Sequence, residues 1–184
     1  MRQLGIEPKE YAADLITQKG CPYYCVQPFT PAIDVPGPYK GQGNEEEFGQ
    51  KYAGIIRRIM GAEISCIKSE YDRACQVEYP GGVSSHSWDS VERFWMGLRA
   101  SFPNATLTID HQIGRQDPMM SPRAAIRFSL QGKHDGWGSF GKPTGADVYI
   151  MAAAHAEFGP YDLRREFVVF DETSIWKQIL MQTG

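Results

Sequence analysis

The sequence predicts a single α+β domain in which helices and a curved antiparallel sheet enclose a small-molecule cavity. Three observations predict it. Apolar residues recur mostly at helical spacing up to Pro103, and alternate after it until a last helical stretch. Two segments, 146–158 and 163–170, are apolar on both faces, so both sides of the strands they form must be covered. Aromatic residues make up 12% of the 184, which suits a large core or a lined cavity. The length supports one domain with a real core and is short for two.

Residues 1–43 read as an N-terminal arm. A short helix is expected over 8–18, and residues 20–43 then hold Pro22, Pro28, Pro31, Pro36 and Pro38 with four glycines, the composition of an extended segment. The main domain, 44–184, opens on Asn44 and Glu47 as a capping-box variant, with Glu45 and Glu46 in the first turn. Phe48, Tyr52, Ile55, Ile56 and Ile59 form one face of the helix that follows, and Ile64, Ile67 and Tyr71 a shorter second one. Cys75, Val77 and Tyr79 alternate as a strand until Pro80-Gly81-Gly82 turns the chain. Asp89 with Glu92 starts another helix bearing Val91, Phe94, Trp95 and Leu98. Four successive strands are expected next, around 107–113, 124–130, 146–158 and 163–170, and a helix from Asp171 carries Ile175, Trp176, Ile179 and Leu180. Consecutive strands usually pair, which gives an antiparallel sheet with its helices grouped on one side. Its second apolar face suits a partner subunit, so a homodimer through the sheet is expected.

Charge and composition exclude several classes. The net charge is −3 and the longest basic blocks are the pairs Arg57-Arg58 and Arg164-Arg165, so a nucleic-acid footprint is not expected. No run has the ~18 consecutive apolar residues of a membrane span, and the N-terminus lacks the apolar core of a signal peptide, which places the protein in the cytoplasm. The four cysteines, Cys21, Cys25, Cys66 and Cys75, are then expected as thiols. Cys21 and Cys25 lack the spacing of a redox pair and have no histidine nearby, so no metal is expected.

Among chemistry-bearing residues, Gly136 to Lys142 fits G-x-x-x-x-G-K, but Pro143 stands where the magnesium-binding hydroxyl belongs and a strand follows instead of a helix. The stretch 132–145 reads instead as a long loop, with His134-Asp135 either a pair that orients or shuttles protons or, more commonly, solvated loop residues. His155 and Asp171 are the sharpest pair. His155 shares a strand face with Tyr149, Met151 and Ala153; Asp171 shares one with Arg165, Phe167 and Val169. Pairing through the 158–162 loop puts His155 near Arg165. Asp171 is either a general acid/base with its pKa raised by desolvation or the N-cap of the last helix. Arg127, beside Ser129 and Gln131, either binds an anionic or carbonyl oxygen or pairs with Glu166 or Asp147. No nucleophile elbow is present.

From about Asn44 onward the chain resembles the nuclear transport factor 2-like superfamily, and within it the SnoaL-like polyketide cyclases. The resemblance rests on Ile55-Ile56-Arg57-Arg58, Tyr79-Pro80-Gly81-Gly82, the block Phe94 to Pro103, Ala125-Ile126-Arg127-Phe128 leading to Gly132-Lys133-His134-Asp135-Gly136, Pro143-Thr144-Gly145, and Glu166 to Glu172 running into Trp176-Lys177-Gln178-Ile179. It implies a cone-shaped, cystatin-like fold around an apolar cavity, a dimer, and neither cofactor nor metal. It further implies that Asp171 matches the acid/base aspartate of an aldol ring closure and His155 a cavity histidine, with His155 or Arg127 donating to the carbonyl oxygen. Tyr79, Trp95, Tyr149, Met151 and Phe167 would line the substrate's site. The expected activity is cofactor-free acid/base chemistry on a small carbonyl compound, a cyclisation or isomerisation. The alternative is a domain of the same fold that binds an apolar ligand or dimerises without chemistry.

Overall fold

The computed structural model describes residues 5–17, 38 and 40–184. Its elements are α1 (Pro8–Thr17), α2 (Glu47–Met60), α3 (Cys66–Glu70), β1 (Tyr71–Tyr79), β2 (Val83–His86), α4 (Trp88–Ser101), β3 (Thr106–Arg115), β4 (Arg123–Lys133), β5 (Asp147–Phe158), β6 (Leu163–Phe170) and α5 (Glu172–Thr183). The six strands form one sheet in the order β2-β1-β6-β5-β4-β3. β3 to β6 pair consecutively and antiparallel, as expected. The sheet is nevertheless mixed, because β1 lies parallel to β6. α4 carries the chain away from the β1–β2 hairpin, and the four-strand meander returns its last strand against β1.

The hairpin partner β2 was not expected. Pro80-Gly81-Gly82 does turn the chain, with Gly81 and Gly82 at φ 86° and 74° in the left-handed region that glycine tolerates best. The returning strand is short and mostly polar, Val-Ser-Ser-His, so it carries no alternation to read. His86, its last residue, pairs with Gln76.

One sheet face is covered. Along β5, Val148, Ile150, Ala152, Ala154, Ala156 and Phe158 are buried. Alternation places Ala124, Ile126, Phe128 and Leu130 beside them on β4, and Cys75, Val77 and Tyr79 at the far side on β1. α2 buries Tyr52, Ile55, Ile56 and Ile59, and α4 buries Val91, Trp95 and Leu98, in the same core. Each fully buried aliphatic side chain contributes about 1.5–3 kcal/mol, so this face holds the helices on the sheet.

Two caps differ from expectation. Glu46, not Asn44, caps α2, its Oε2 accepting from the amides of Phe48 (2.8 Å) and Gly49 (3.3 Å). Asn44 instead clamps β3, exchanging 2.9 Å hydrogen bonds with the N–H and C=O of Gly114. α2 starts so close to this strand that a Cβ on Gly114 would collide with Glu46 and Gly49. Ser87 is the cap residue of α4 and makes no side-chain cap bond, while Asp89 only contributes charge to the first turn.

β6 ends where Phe170 pairs with Ala152, so among the described residues the first residues of β5 have no strand neighbour on that side. α5 supplies one from its side chains. The Gln178 amide accepts from the N–H of Tyr149 (2.8 Å) and donates to its C=O (2.9 Å). The Gln182 amide does the same for Asp147, at 2.8 and 2.7 Å. Four residues of helix rise about 6 Å and two residues of strand about 6.6 Å, so glutamines one turn apart match alternate strand residues.

α1 packs on α5, with Lys9 Nζ 5.0 Å from the Trp176 ring centroid. Gln42 and Asn44 bracket Gln112 by backbone hydrogen bonds of 2.9 and 3.0 Å, tying the described end of the arm to β3. Cys21, Cys25 and the prolines from Pro22 to Pro36 lie outside the described residues. No described helix is long and apolar enough to cross a membrane.

Candidate functional site: a buried carboxylate behind an aromatic cavity

The inner face of β6 presents Glu166, Val168 and Phe170 in alternation. Glu166 pairs with Ala156 on one side and Val77 on the other, both inward and small, which leaves its side chain room in the core. It is 0% exposed. Its Oε1 accepts from the hydroxyls of Tyr52 (2.9 Å) and Tyr71 (2.7 Å), and its Oε2 from the Tyr79 hydroxyl (2.6 Å) and the Trp95 indole N–H (3.2 Å). These donors come from α2, β1 and α4, so all of those elements converge on one carboxylate.

A carboxylate has about four lone-pair sites, and here four neutral donors fill them, so the pattern satisfies the ionised form. Burial pulls the other way and is the largest influence on the group. The net effect is a Glu166 carboxyl that holds its proton to higher pH than an ordinary glutamate, with the four hydrogen bonds opposing the shift. Burial, then the neighbouring Glu166 charge, pushes all three tyrosine hydroxyls well up, so they remain donors.

Beside this cluster is a cavity of about 320 Å³. Tyr79, Phe94, Phe140 and Phe170 form its aromatic walls; Ser85, Ser90, Arg93, Ser139 and Glu172 add polar groups. Phe94 stacks on Tyr79 with centroids 3.8 Å apart and planes 9° apart, and lies 6.2 Å from Phe170. Tyr79 thus belongs to both regions: its ring walls the cavity while its hydroxyl bonds Glu166. Trp95 is wholly buried one layer behind, edge-on to Phe94 at 5.0 Å.

Of the residues singled out from the sequence, the structure brings Tyr79 and Trp95 to this site. Arg127, Tyr149, Met151, His155 and Phe167 alternate onto the other face of the sheet. His155 pairs with Phe167, ring centroids 5.8 Å apart, and not with Arg165. Arg165 instead pairs with Glu157, 3.5 Å away. Asp171 is the N-cap of α5, its Oδ1 accepting from the amides of Thr173 (2.9 Å) and Ser174 (3.2 Å). It lies four residues beyond Phe167, the partner of His155, or about 13 Å of strand, so the two do not meet. Neither carboxylate weighed as a partner for Arg127 reaches it: Glu166 faces inward, and Asp147 holds Lys133 at 2.9 Å.

The glycine-rich loop leans on α4 and buries His134, while Asp135, as expected, is exposed. Gly136 and Ser139 donate backbone bonds to Ser101 and Gly97 of α4, an approach that side chains at Gly136 and Gly138 would block. His134 is fully buried, with Nδ1 3.1 Å from Thr144 Oγ1. Burial lowers its pKa. No group of three metal-ligating side chains occurs among the described residues.

Sequence reasoning missed Glu166 as a site residue because it followed the Arg165-Phe167-Val169-Asp171 period of β6. The complementary period, Glu166-Val168-Phe170, held the signal: one charged residue on an otherwise apolar stripe.

No family model matches the chain, and no curated protein sequence matches it. Solved structures do. A candidate polyketide cyclase from Acidithiobacillus ferrooxidans is 14% identical, superposes over 77% of this chain and 99% of its own, and gives a TM-score of 0.60. IdmH, a candidate polyketide cyclase from Streptomyces antibioticus, is 15% identical over 72% of this chain and 98% of its own, with a TM-score of 0.59. AclR, a candidate hydroxylase from Streptomyces galilaeus, is 18% identical over 66% of this chain and 76% of its own, with a TM-score of 0.51. At such identities the likeness is one of fold, and the chain has the nuclear transport factor 2-like fold of the SnoaL-like cyclases.

Proposed function

We propose that the protein is a cofactor-independent acid/base enzyme acting on a small, flat carbonyl compound, by cyclisation or isomerisation, in the cavity walled by Tyr79, Phe94 and Phe170. The observation that carries this is Tyr79, shared between the cavity wall and the buried Glu166 carboxylate. Removing a proton beside a carbonyl needs a base near the carbon and a donor near the oxygen. Tyr79 Oη takes the substrate proton as it passes its own to Glu166 Oε2, and the Arg93 guanidinium steadies the enolate oxygen. The raised proton affinity of Glu166 favours this direction, and return of the proton completes the cycle. The likeness in fold to candidate cyclases supports this reading.

The test is exchange of α-protons for deuterium in a panel of cyclic ketones and enones, followed by NMR. Exchange by the wild type, and a loss of ~10²–10⁴-fold in Tyr79→Phe and Glu166→Gln with ligand affinity retained, is the expected result. A wild type that exchanges nothing, or a Tyr79→Phe variant that exchanges normally, overturns it.

The saturation of Glu166 by four donors favours a second reading: a non-catalytic ligand-binding domain in which Glu166 only locks the core. Ligand capture without exchange would favour that reading.

We also propose that the protein is a homodimer through the outer sheet face, where Ile113, Met151 and Val169 are 43%, 50% and 64% exposed. Sedimentation equilibrium should show a dimer that Met151→Lys and Val169→Lys together dissociate; a monomeric wild type refutes it.

A further inference from the structure

A second cavity, of about 380 Å³, lies between α1, the glycine-rich loop and α5. Ser139 and Phe140 line it as well as the first cavity. Phe140 is therefore the partition between the two, 4% exposed and held between Phe102 at 5.4 Å and Trp176 at 5.5 Å. Its backbone is fixed: its N–H donates to Ser101 Oγ (3.2 Å), and the N–H of Ser139 to Gly97 O (3.0 Å). Only the side chain is free to change the partition. The chemistry of the two cavities also differs. The first has aromatic walls and both signs of charge, Arg93 and Glu172. Among the described residues, the second has Lys9 and Lys142 as its charged lining, with the hydroxyls of Ser139 and Thr144 and the Trp176 ring.

We infer that the two cavities form one elongated site, for a ligand whose aromatic or conjugated part lies against Tyr79 and Phe94 and whose anionic end group lies between Lys9 and Lys142. This rests on the proposed function for the role of the first cavity and names the class of molecule that fills it. Each cavity alone is near the lower end of the ~300–1,000 Å³ that small-molecule sites occupy, and joined they lie well inside it. Two ammonium groups, with no carboxylate among the described lining residues, select an anion at one end, by point charge, without requiring the planar fork that arginine would impose. Phe140 sets the length: upright it divides the site, and turned aside it lets a chain pass.

The probes are ω-phenylalkanoates of increasing chain length and their methyl esters, titrated into the full chain by calorimetry. Affinity should rise with length until the chain spans Phe140, and at that length the carboxylate should bind ~10-fold more tightly than its ester. Lys9→Ala with Lys142→Ala, both exposed positions, should abolish the difference and leave ester affinity unchanged. Phe140→Leu, and Phe140→Ala if it folds, should tighten binding of the chains long enough to cross it. Equal binding of acid and ester overturns the anionic end; affinity independent of length overturns the joined site. Acid-over-ester preference that survives the double lysine change also overturns it. Failure of the enzymatic reading shows separately, as loss of proton exchange with this binding pattern intact.

Discussion

Glu166 and Asp171 lie five residues apart at one strand–helix junction, and their surroundings have little in common. Glu166 is wholly buried and accepts from four side chains brought in by α2, β1 and α4. Asp171 is exposed and accepts from two backbone amides of the helix it begins. A cap needs only a short acceptor at the right backbone position, and local sequence supplies it. The Glu166 cluster exists only after three elements have docked, so it reports the tertiary fold.

The contrast can be broken most forcefully at Glu166. Glu166→Ala leaves four buried donors unpaired and should cost about 3–5 kcal/mol, as for removal of one partner from a buried charged network, read by urea unfolding. Next in size, Tyr52→Phe and Tyr71→Phe should each cost about 1.5–3 kcal/mol, the range for a hydrogen bond to a charged group. If each costs under 0.5 kcal/mol, the cluster is not what holds the elements together. At Asp171 the effects should be smaller: about 1 kcal/mol for Asp171→Ala and almost none for Asp171→Asn, since asparagine caps as well as aspartate. An Asp171→Asn protein of unchanged melting temperature that had lost proton exchange would give Asp171 a chemical part and weaken the case for Glu166.

Proton linkage sharpens the same comparison. Glu166 has a folded pKa above its ordinary 4.5. Its contribution is therefore fully present below pH 4.5 and is lost as pH rises through the folded value, because the unfolded chain gives up the proton first. The stability of the wild type relative to Glu166→Gln should fall over that window, and a flat difference would contradict the burial argument. Tyr79→Phe removes one of the hydrogen bonds that lower the pKa, so it should move the fall to higher pH. His134 is the opposite case. Burial depresses it below 6.5, so its contribution is present above pH 6.5 and is lost as pH falls from there through the folded value. His134→Gln should flatten that acid-side loss.

What the sequence revealed follows the same division. Local period and turn chemistry placed the helices and the four-strand meander within a few residues, because Phe48 to Ile59 and residues 146–158 each satisfy one spacing throughout. The β1–β6 parallel pairing was hidden, since no local signal links strands separated by α4 and the meander. β2 was hidden because Val83 to His86 alternate too weakly. At the site, Tyr79 and Trp95 were legible as large residues on inward stripes. Glu166 was not, because a charged residue in a strand reads as solvent-facing until its partners are known, and those partners are 114, 95, 87 and 71 residues away.

The paired amides of Gln178 and Gln182 have a consequence beyond anchoring α5. They occupy the N–H and C=O groups of Tyr149 and Asp147 on a stretch of β5 that also carries Val148 and Ile150. Uncovered, that stretch would be a bare apolar strand edge, the kind of template on which chains recruit one another into aggregates. Glutamine side chains cannot extend a sheet outward as a strand does. The last helix therefore ends the ladder as well as covering it, and a chain cut short before Gln178 should pass from a discrete protein to a self-associating one.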